Sequence, residues 1–400
     1  MTHAGTYSID SLREQARRRI PRFAFDFLDG GAGSETGLSR NRDAFERMRL
    51  QPRAMIDVES RSLESEFFGR RWGAPFGVAP IGMGNLIWPG ADEMVAAAAR
   101  AADIPYVLST AGTTSLETIA KIAPGHAWFQ LYVGKSQSIV DDLIARAERA
   151  GFEVLVVTVD VPAPGRRLRD LQNGLSLPLR PSAMWGVQLA THPSWSIAML
   201  RKGLPRFENL EPYAANNASA SSLATLMAEQ SSGRLDQRLL AQIRRRWTGR
   251  LVIKGILSPQ DAAIARDIGA DAVIVSNHGG RQLSGAPASL EALPSIRQRV
   301  GPHFPLLLDG GIRSGEDVAK ALVAGADFAL VGRAVMYGVA AMRDGAAHAI
   351  SLLKAELNQT CAQLGVTSIG ALDGKFAFPL AASSSAGQSE SPQADGGPLP

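Results

Sequence analysis

Eight short apolar runs, each closed by a polar or glycine-rich turn and most followed by an amphipathic helix, predict an α/β fold with a parallel sheet. Eight strand–helix pairs are the number that closes such a sheet on itself, so the expected architecture is a (β/α)8 TIM barrel. A third observation separates it from the competing doubly wound open sheet. Polar and charged residues stand repeatedly at the ends of the runs, and a parallel barrel would gather them on its carboxyl face.

The runs are Phe76–Ala79, Tyr106–Leu108, Ala127–Leu131, Val154–Val159, Leu251–Ile253, Ala272–Val275, Leu306–Leu308 and Phe328–Val331. Helical patterns at 91–103, 136–150, 259–268 and 314–324 lie between them. The steps GADAV (269–273) and GADFA (325–329) place a glycine where a helix can end before the next strand starts. Upstream, residues 8–49 read as a charged helical segment interrupted by Gly30, Gly31 and Gly33. The rhythm breaks between the fourth and fifth runs, where residues 171–235 form a long insertion with Trp185, Trp195, Arg201, Lys202 and Arg206. Loops this long within a compact unit are functional or disordered. Residues 1–380 are therefore read as one barrel domain, and the Ser-, Gly-, Gln- and Pro-rich residues 381–400 as a disordered tail.

Composition narrows the classes of function. With 45% hydrophobic and 20% charged residues the chain is a folded globular one, and 400 residues fit one barrel with insertions. The net charge of +4 comes from dispersed basic residues, which argues against a nucleic-acid partner. Cys361 is the only cysteine, so a disulfide framework and a cysteine-based metal site are excluded within the chain, and no metal is expected. The N-terminus carries no apolar run suited to a signal peptide, and no stretch reaches the roughly 18 apolar residues of a spanning helix. A cytoplasmic location is the expectation.

The strand ends carry the chemistry. Gln130 and Tyr132 close the third run, Thr158 and Asp160 the fourth, with Arg166 and Arg167 close behind. Lys254 closes the fifth, Ser276, Asn277, His278 and Arg281 the sixth, and Asp309 with Arg313 the seventh. DGGIRSG (309–315) and VGRA (331–334) follow the last two runs, where barrels recurrently bind phosphate. Glycines there let backbone N–H groups approach an anion, and Arg333 adds a charged fork. The plainer reading is a pair of tight turns; their place on consecutive strands favours phosphate. His278 is suited to moving a proton near neutral pH, and Arg281 can hold a carboxylate beside it. Asp160 can stabilise the imidazolium that forms. Lys254, costly to bury without an anionic partner, is suited to facing developing negative charge.

Together these residues resemble the FMN-dependent 2-hydroxy acid oxidase and dehydrogenase family, which includes glycolate oxidase, lactate dehydrogenases and mandelate dehydrogenase. The likeness runs from about Ser8 to Leu372 through FQLY (129–132), TVDVP (158–162), GRR (165–167), VIKG (252–255), SNHGGRQL (276–283), LDGGIR (308–313) and VGRA (331–334). IWPGAD (87–92), HPSWS (192–196) and GLPRFENL (203–210) are similar to the mandelate dehydrogenase branch, (S)-specific in its substrate. The resemblance implies bound FMN and oxidation of an (S)-2-hydroxy acid to the 2-oxo acid, with a mandelate-like or other larger substrate and a quinone-type acceptor. It implies that His278 is the base, that Asp160 supports it, and that Arg281 and Arg167 hold the substrate carboxylate. Tyr132 would bond near the substrate hydroxyl, and Lys254 would stabilise the charge of reduced flavin. Ala79, Pro80, Ile81, Ser109, Gln130, Thr158, Ser276, Asp309, Gly310, Gly311, Arg313, Gly332 and Arg333 would contact the cofactor. A homotetramer is also implied, as is a membrane-surface contact through 171–215 on the cytoplasmic face of the inner membrane; the alternative for that segment is a lid over the site.

Some positions depart from the family pattern. Phe27 stands at the substrate-binding position where a tyrosine would help hold the carboxylate, and Ile81 replaces a common threonine. Ala111 replaces a bulky aromatic of glycolate oxidases, which opens the pocket toward larger side chains, and Gly82 hints at a dehydrogenase over an oxidase. An L-lactate dehydrogenase or an oxygen-using oxidase is the neighbouring alternative. A non-catalytic flavin-binding scaffold is the alternative of another class.

Overall fold

The computed structural model describes residues 5–175, 183–214 and 233–378. All eight apolar runs are strands: β1 Phe76–Val78, β2 Tyr106–Ser109, β3 Ala127–Tyr132, β4 Val154–Thr158, β5 Arg250–Ile256, β6 Ala272–Val275, β7 Leu306–Asp309 and β8 Phe328–Val331. Each pairs in parallel with its successor, and β8 returns to β1 through Ala329↔Phe76, closing the barrel. The open-sheet alternative is thereby removed.

Alternation along the strands divides the core into two. Val107, Trp128, Val156, Val252, Ile274, Leu307 and Leu330 form one cluster, while their neighbours Leu108, Phe129, Val157, Ile253, Val275, Leu308 and Val331 pack with the helices. Both faces of each strand are covered, which is why the sequence shows unbroken apolar runs and not an alternating pattern. The helices expected at 91–103, 136–150, 259–268 and 314–324 occupy Ala91–Ala101, Gln137–Arg149, Pro259–Asp267 and Gly315–Val323.

Two additions close the ends of the barrel. At the amino end, a hairpin of Ser65–Phe67 and Arg70–Trp72 brings Phe67 against Phe328, with ring centroids 4.9 Å apart. At the carboxyl end, the N-terminal segment lies across the mouth as α1 (Ile9–Arg19), α2 (Arg22–Asp29) and α3 (Thr36–Arg47). Ser8 and Ser11 cap α1 reciprocally, and Pro21 forces the break before α2. Asn41 of α3 and Asn277 exchange amide hydrogen bonds of 2.9 and 2.7 Å, tying this segment to the end of β6.

The insertion holds two described helices, Ala183–Thr191 and Pro193–Lys202. Its tryptophans do not form the outward anchor that the composition suggests. Trp195 is buried and donates to the carbonyl of Ile87 at 3.1 Å, and Trp185 stacks on Phe23 at 4.6 Å. Aliphatic residues face outward instead, with Leu200 and Leu204 85% and 77% exposed. The expected disordered tail, like 176–182 and 215–232 of the insertion, lies outside the described residues.

Candidate active site

A cavity of about 410 Å³ opens at the carboxyl end of the barrel. Phe27, Ala79, Pro80, Ile81, Tyr132, Thr158, Arg167, Lys254, His278, Arg281, Asp309, Gly310, Gly311, Arg313, Gly332 and Arg333 all line it. The remaining expected residues, Ser109, Gln130, Asp160 and Ser276, sit behind this lining, each bonded to another site residue or to a neighbour in the wall.

His278 follows β6 with a φ of 58°, a left-handed conformation that costs a non-glycine residue of order 1 kcal/mol or more and clusters at functional sites. Its backbone N–H donates to Ser276 Oγ at 3.0 Å. Its Nδ1 lies 3.0 and 3.2 Å from the two carboxylate oxygens of Asp160. That contact assigns a proton to Nδ1 and leaves Nε2 as the acceptor, 3.4 Å from the Tyr132 hydroxyl. Burial works against the Asp160 carboxylate, but His278 and then Lys254 outweigh it and hold its pKa below the usual range. Gly255 makes this approach possible, because a Cβ there would stand 2.4 Å from the Asp160 carboxyl carbon. Burial also raises the Tyr132 phenol to about 12, so it remains a proton-bearing group.

Lys254 is 3% exposed on β5 and forms an ion pair of 2.8 Å with Asp309. Its ammonium also donates to Ser276 Oγ at 2.8 Å. Burial opposes its charge, yet Asp309 and Asp160 raise its pKa, and the cation is kept.

The arginines are arranged differently. Arg281 is half-buried, and its pKa is pushed down to about 9, by desolvation first and then by Arg167 and Arg333. Its Nη1 donates to the carbonyls of Phe27 and Gly30 at 2.8 and 2.9 Å, but among the described residues no carboxylate pairs with it. Arg167 pairs through Nε with Asp170 at 3.0 Å. The Phe27 ring lies between them, 5.7 Å from the Arg167 and 5.2 Å from the Arg281 guanidinium carbon. This corner of the cavity gathers positive charge and has room for an anion. Arg333 donates to the carbonyls of Leu28, Gly279 and Gly30, which leaves part of its fork for a ligand. Arg313 lies over the Tyr337 ring at 5.4 Å.

The donor set fits FMN. Among the described residues Gln130 Nε2 and Thr158 Oγ1 are buried without a hydrogen-bond partner, a condition costing roughly 1–3 kcal/mol per group unless a ligand meets it. Ser109 donates to Gln130 Oε1 at 2.8 Å, which turns the Gln130 amide nitrogen to its unpaired position. Gly310 and Gly311 take φ values of 96° and 95°, so the turn after β7 can bring backbone close to a phosphate.

Three features escaped sequence reasoning. Asp170, three residues after Arg167, has the spacing of a helical ion pair and was legible in principle. The carbonyls of α2 that receive Arg281 and Arg333 carry no sequence signal, since every residue has one. Val133, Leu143, Phe207 and Leu210 also line the cavity and, with Ala111, give it an apolar part.

Comparison with known proteins points the same way. A family model described as FMN-dependent dehydrogenase matches residues 16–378. The (S)-mandelate dehydrogenase of Pseudomonas putida is 38% identical over 367 residues, 92% of each chain. An L-lactate dehydrogenase of Caulobacter vibrioides is also 38% identical, over 92% of this chain and 96% of its own. The crystal structure of a monotopic membrane protein, (S)-mandelate dehydrogenase, superposes with a TM-score of 0.89 at 37% identity, covering 93% of this chain and 99% of that one.

Proposed function

This chain belongs to the FMN-dependent dehydrogenase family and is an FMN-dependent 2-hydroxy acid dehydrogenase; from that premise we propose that its substrate is a mandelate-like (S)-2-hydroxy acid. The observation that carries this reading is the apolar part of the cavity lining, Ala111 with Val133, Leu143, Phe207 and Leu210, which offers an aryl group a dry surface in the same cavity as the arginines. Bound FMN would supply the two-electron acceptor.

The chain's own residues divide the remaining work. Arg281 and Arg167 hold the carboxylate, and the anion offsets both the desolvation that chiefly depresses Arg281 and the repulsion from Arg167 and Arg333 that adds to it. His278 Nε2 accepts one proton from the CH–OH group, the other proton and the electron pair would pass to the acceptor that bound FMN supplies, and Asp160 stabilises the resulting imidazolium. The Tyr132 hydroxyl beside Nε2 bonds the substrate oxygen. Lys254 presents fixed positive charge to the cofactor side of the cavity, and Asp309 and Ser276 keep it in place. Gln130, Thr158, Ser109, Ala79, Pro80, Ile81, Gly332 and the turns of Gly310–Arg313 and Arg333 hold the FMN itself.

The acceptor is a quinone, reached at a membrane surface by a homotetramer. Met184, Val187, Leu189, Ile197, Leu200 and Leu204 are exposed beside Arg201, and such a face suits the cytoplasmic surface of an anionic membrane. Among the described residues no helix is long and apolar enough to cross a membrane. Replacing Ile197, Leu200 and Leu204 by serine should abolish co-sedimentation with acidic vesicles; equal partitioning with the parent protein would reject the contact.

Anaerobic mixing of the yellow protein with a panel of 2-hydroxy acids tests the activity. (S)-mandelate should bleach the flavin faster than L-lactate. The reverse order would move the assignment to a lactate dehydrogenase, and retained colour with every acid would mean a non-catalytic scaffold.

A further inference from the structure

Helix α2 holds the carboxylate-binding arginine through its last turn. Phe27 and Gly30 present the carbonyls that receive Arg281 Nη1, and Leu28 and Gly30 those that receive Arg333. The placement of α2 therefore sets where the Arg281 guanidinium lies. Its first turn is held from outside. The N-cap residue, Pro21, offers no side-chain acceptor, and the N–H of Phe23 donates instead to Gln188 Oε1 at 3.1 Å. Gln188 belongs to the insertion helix Ala183–Thr191.

This helix and the following one, Pro193–Lys202, grip the Phe23 ring between them. Trp185 stacks on it at 4.6 Å with planes 12° apart, and Trp195 meets it edge-on at 5.5 Å. Trp185 is itself fixed by donating to the Asn173 carbonyl at 2.8 Å, and the Asn173 amide donates to Asp26 of α2 at 2.8 Å. Phe27 stands four residues beyond Phe23, on the same side of the helix and one turn nearer the cavity. An eight-residue helix is short and stiff, so an error at its first turn reaches its last.

We propose that Gln188 and Trp185 are positioning residues for the substrate carboxylate: the insertion holds the first turn of α2, and the last turn of α2 holds Arg281. This rests on the assignment of Arg281 as a carboxylate-binding group. His278 and Asp160 bond each other and not α2; their tie to that helix is indirect, through Arg333 and the Gly279 carbonyl, so the linkage acts first on Arg281.

The test uses the flavin-loaded protein and two readouts: the Kd of phenylacetate, a carboxylate with no hydroxyl to oxidise, from the shift of the flavin spectrum, and the steady-state KM and kcat. Gln188→Leu should raise both Kd and KM about 5- to 10-fold, the worth of a lost helix N-cap acceptor, with kcat within about twofold. Gln188→Glu should restore both, because a carboxylate accepts the same N–H and favours a helix N-terminus. Trp185→Ala should match Gln188→Leu, and Trp185→Phe, which keeps the stack, should fall between it and the parent. Unchanged Kd and KM in Gln188→Leu, a loss confined to kcat, or failure of Gln188→Glu to rescue would each overturn the proposal. Arg281→Met separates the two levels. If it binds phenylacetate normally, the assignment of Arg281 fails; if it loses binding while the Gln188 variants keep theirs, only the linkage fails.

Discussion

The two ends of this barrel differ in how fully their polar groups are paired. At the amino end, Trp72 donates to the Phe67 carbonyl at 3.2 Å, Arg244 and Arg250 share Asp271 at 2.9 Å each, and Arg70 pairs with Asp103 at 3.2 Å. At the carboxyl end, among the described residues, Gln130 Nε2 and Thr158 Oγ1 have no partner, and Arg281 is crowded by Arg167 and Arg333 with no carboxylate bonded to it. Pairing at one end spends polar capacity on stability; at the other it is withheld for ligands. Substitutions should follow the same division, with function lost at one end and stability at the other.

The largest expected effect is at His278. His278→Asn should keep its FMN and lose flavin reduction by about 10²- to 10⁴-fold, as removal of a proton acceptor does. Rapid-mixing anaerobic reduction measures it, and a near-normal rate would show that another group accepts the proton. The matching change at the amino end is Trp72→Ala. Trp72 is buried and packs edge-on to Trp128, so its loss should cost about 3–5 kcal/mol of stability. Thermal melting would report the loss while KM stays unchanged. A raised KM at full stability would mean that the two ends are coupled and the contrast is false.

A third, smaller effect concerns acid. Asp29 sits at the end of α2; burial alone would raise its pKa, but bonds from Arg13, Tyr337 and Arg169 hold it down to about 2. A carboxylate depressed on folding adds stability that is complete above its unfolded value of 3.8 and is lost as pH falls toward 2. Asp29→Asn should therefore cost about 2 kcal/mol at neutral pH, with the gap to the parent closing below about pH 4. Denaturant midpoints across pH 2–7 would show it; a gap that persists at pH 2 would assign the loss to packing.

The barrel was legible because parallel strands covered on both faces leave uninterrupted apolar runs, and because function places polar residues at their ends. His278, Asp160 and Lys254 could be found that way, since their residue types are costly to bury and each ends a run. What could not be read were relations between distant segments. Nothing local says that the Phe27 carbonyl meets Arg281, 254 positions away, or that Gln188 meets Phe23. The insertion's tryptophans illustrate the same gap. Composition suited them to a membrane interface, and only the packing of Phe23 against Trp185 and Trp195 turns them inward.

The smallest expected gain is at Phe27, and it tests whether the carboxyl end is under-paired by design or by loss. Two guanidiniums already flank the ring, and each such contact is worth about 0.5–1 kcal/mol at a partly open site. A tyrosine would keep those contacts and add a phenol donor. A hydrogen bond to a charged group contributes roughly 1.5–3 kcal/mol. Ordering the hydroxyl and dehydrating it offset part of this, so the expected gain is the low end, about tenfold in KM. Phe27→Tyr should thus lower KM for the preferred 2-hydroxy acid about tenfold with kcat little changed. If KM is unchanged or higher, the ring is part of a pocket adapted to its absence of a phenol, and the positive corner formed by Arg167 and Arg281 is already sufficient for the carboxylate.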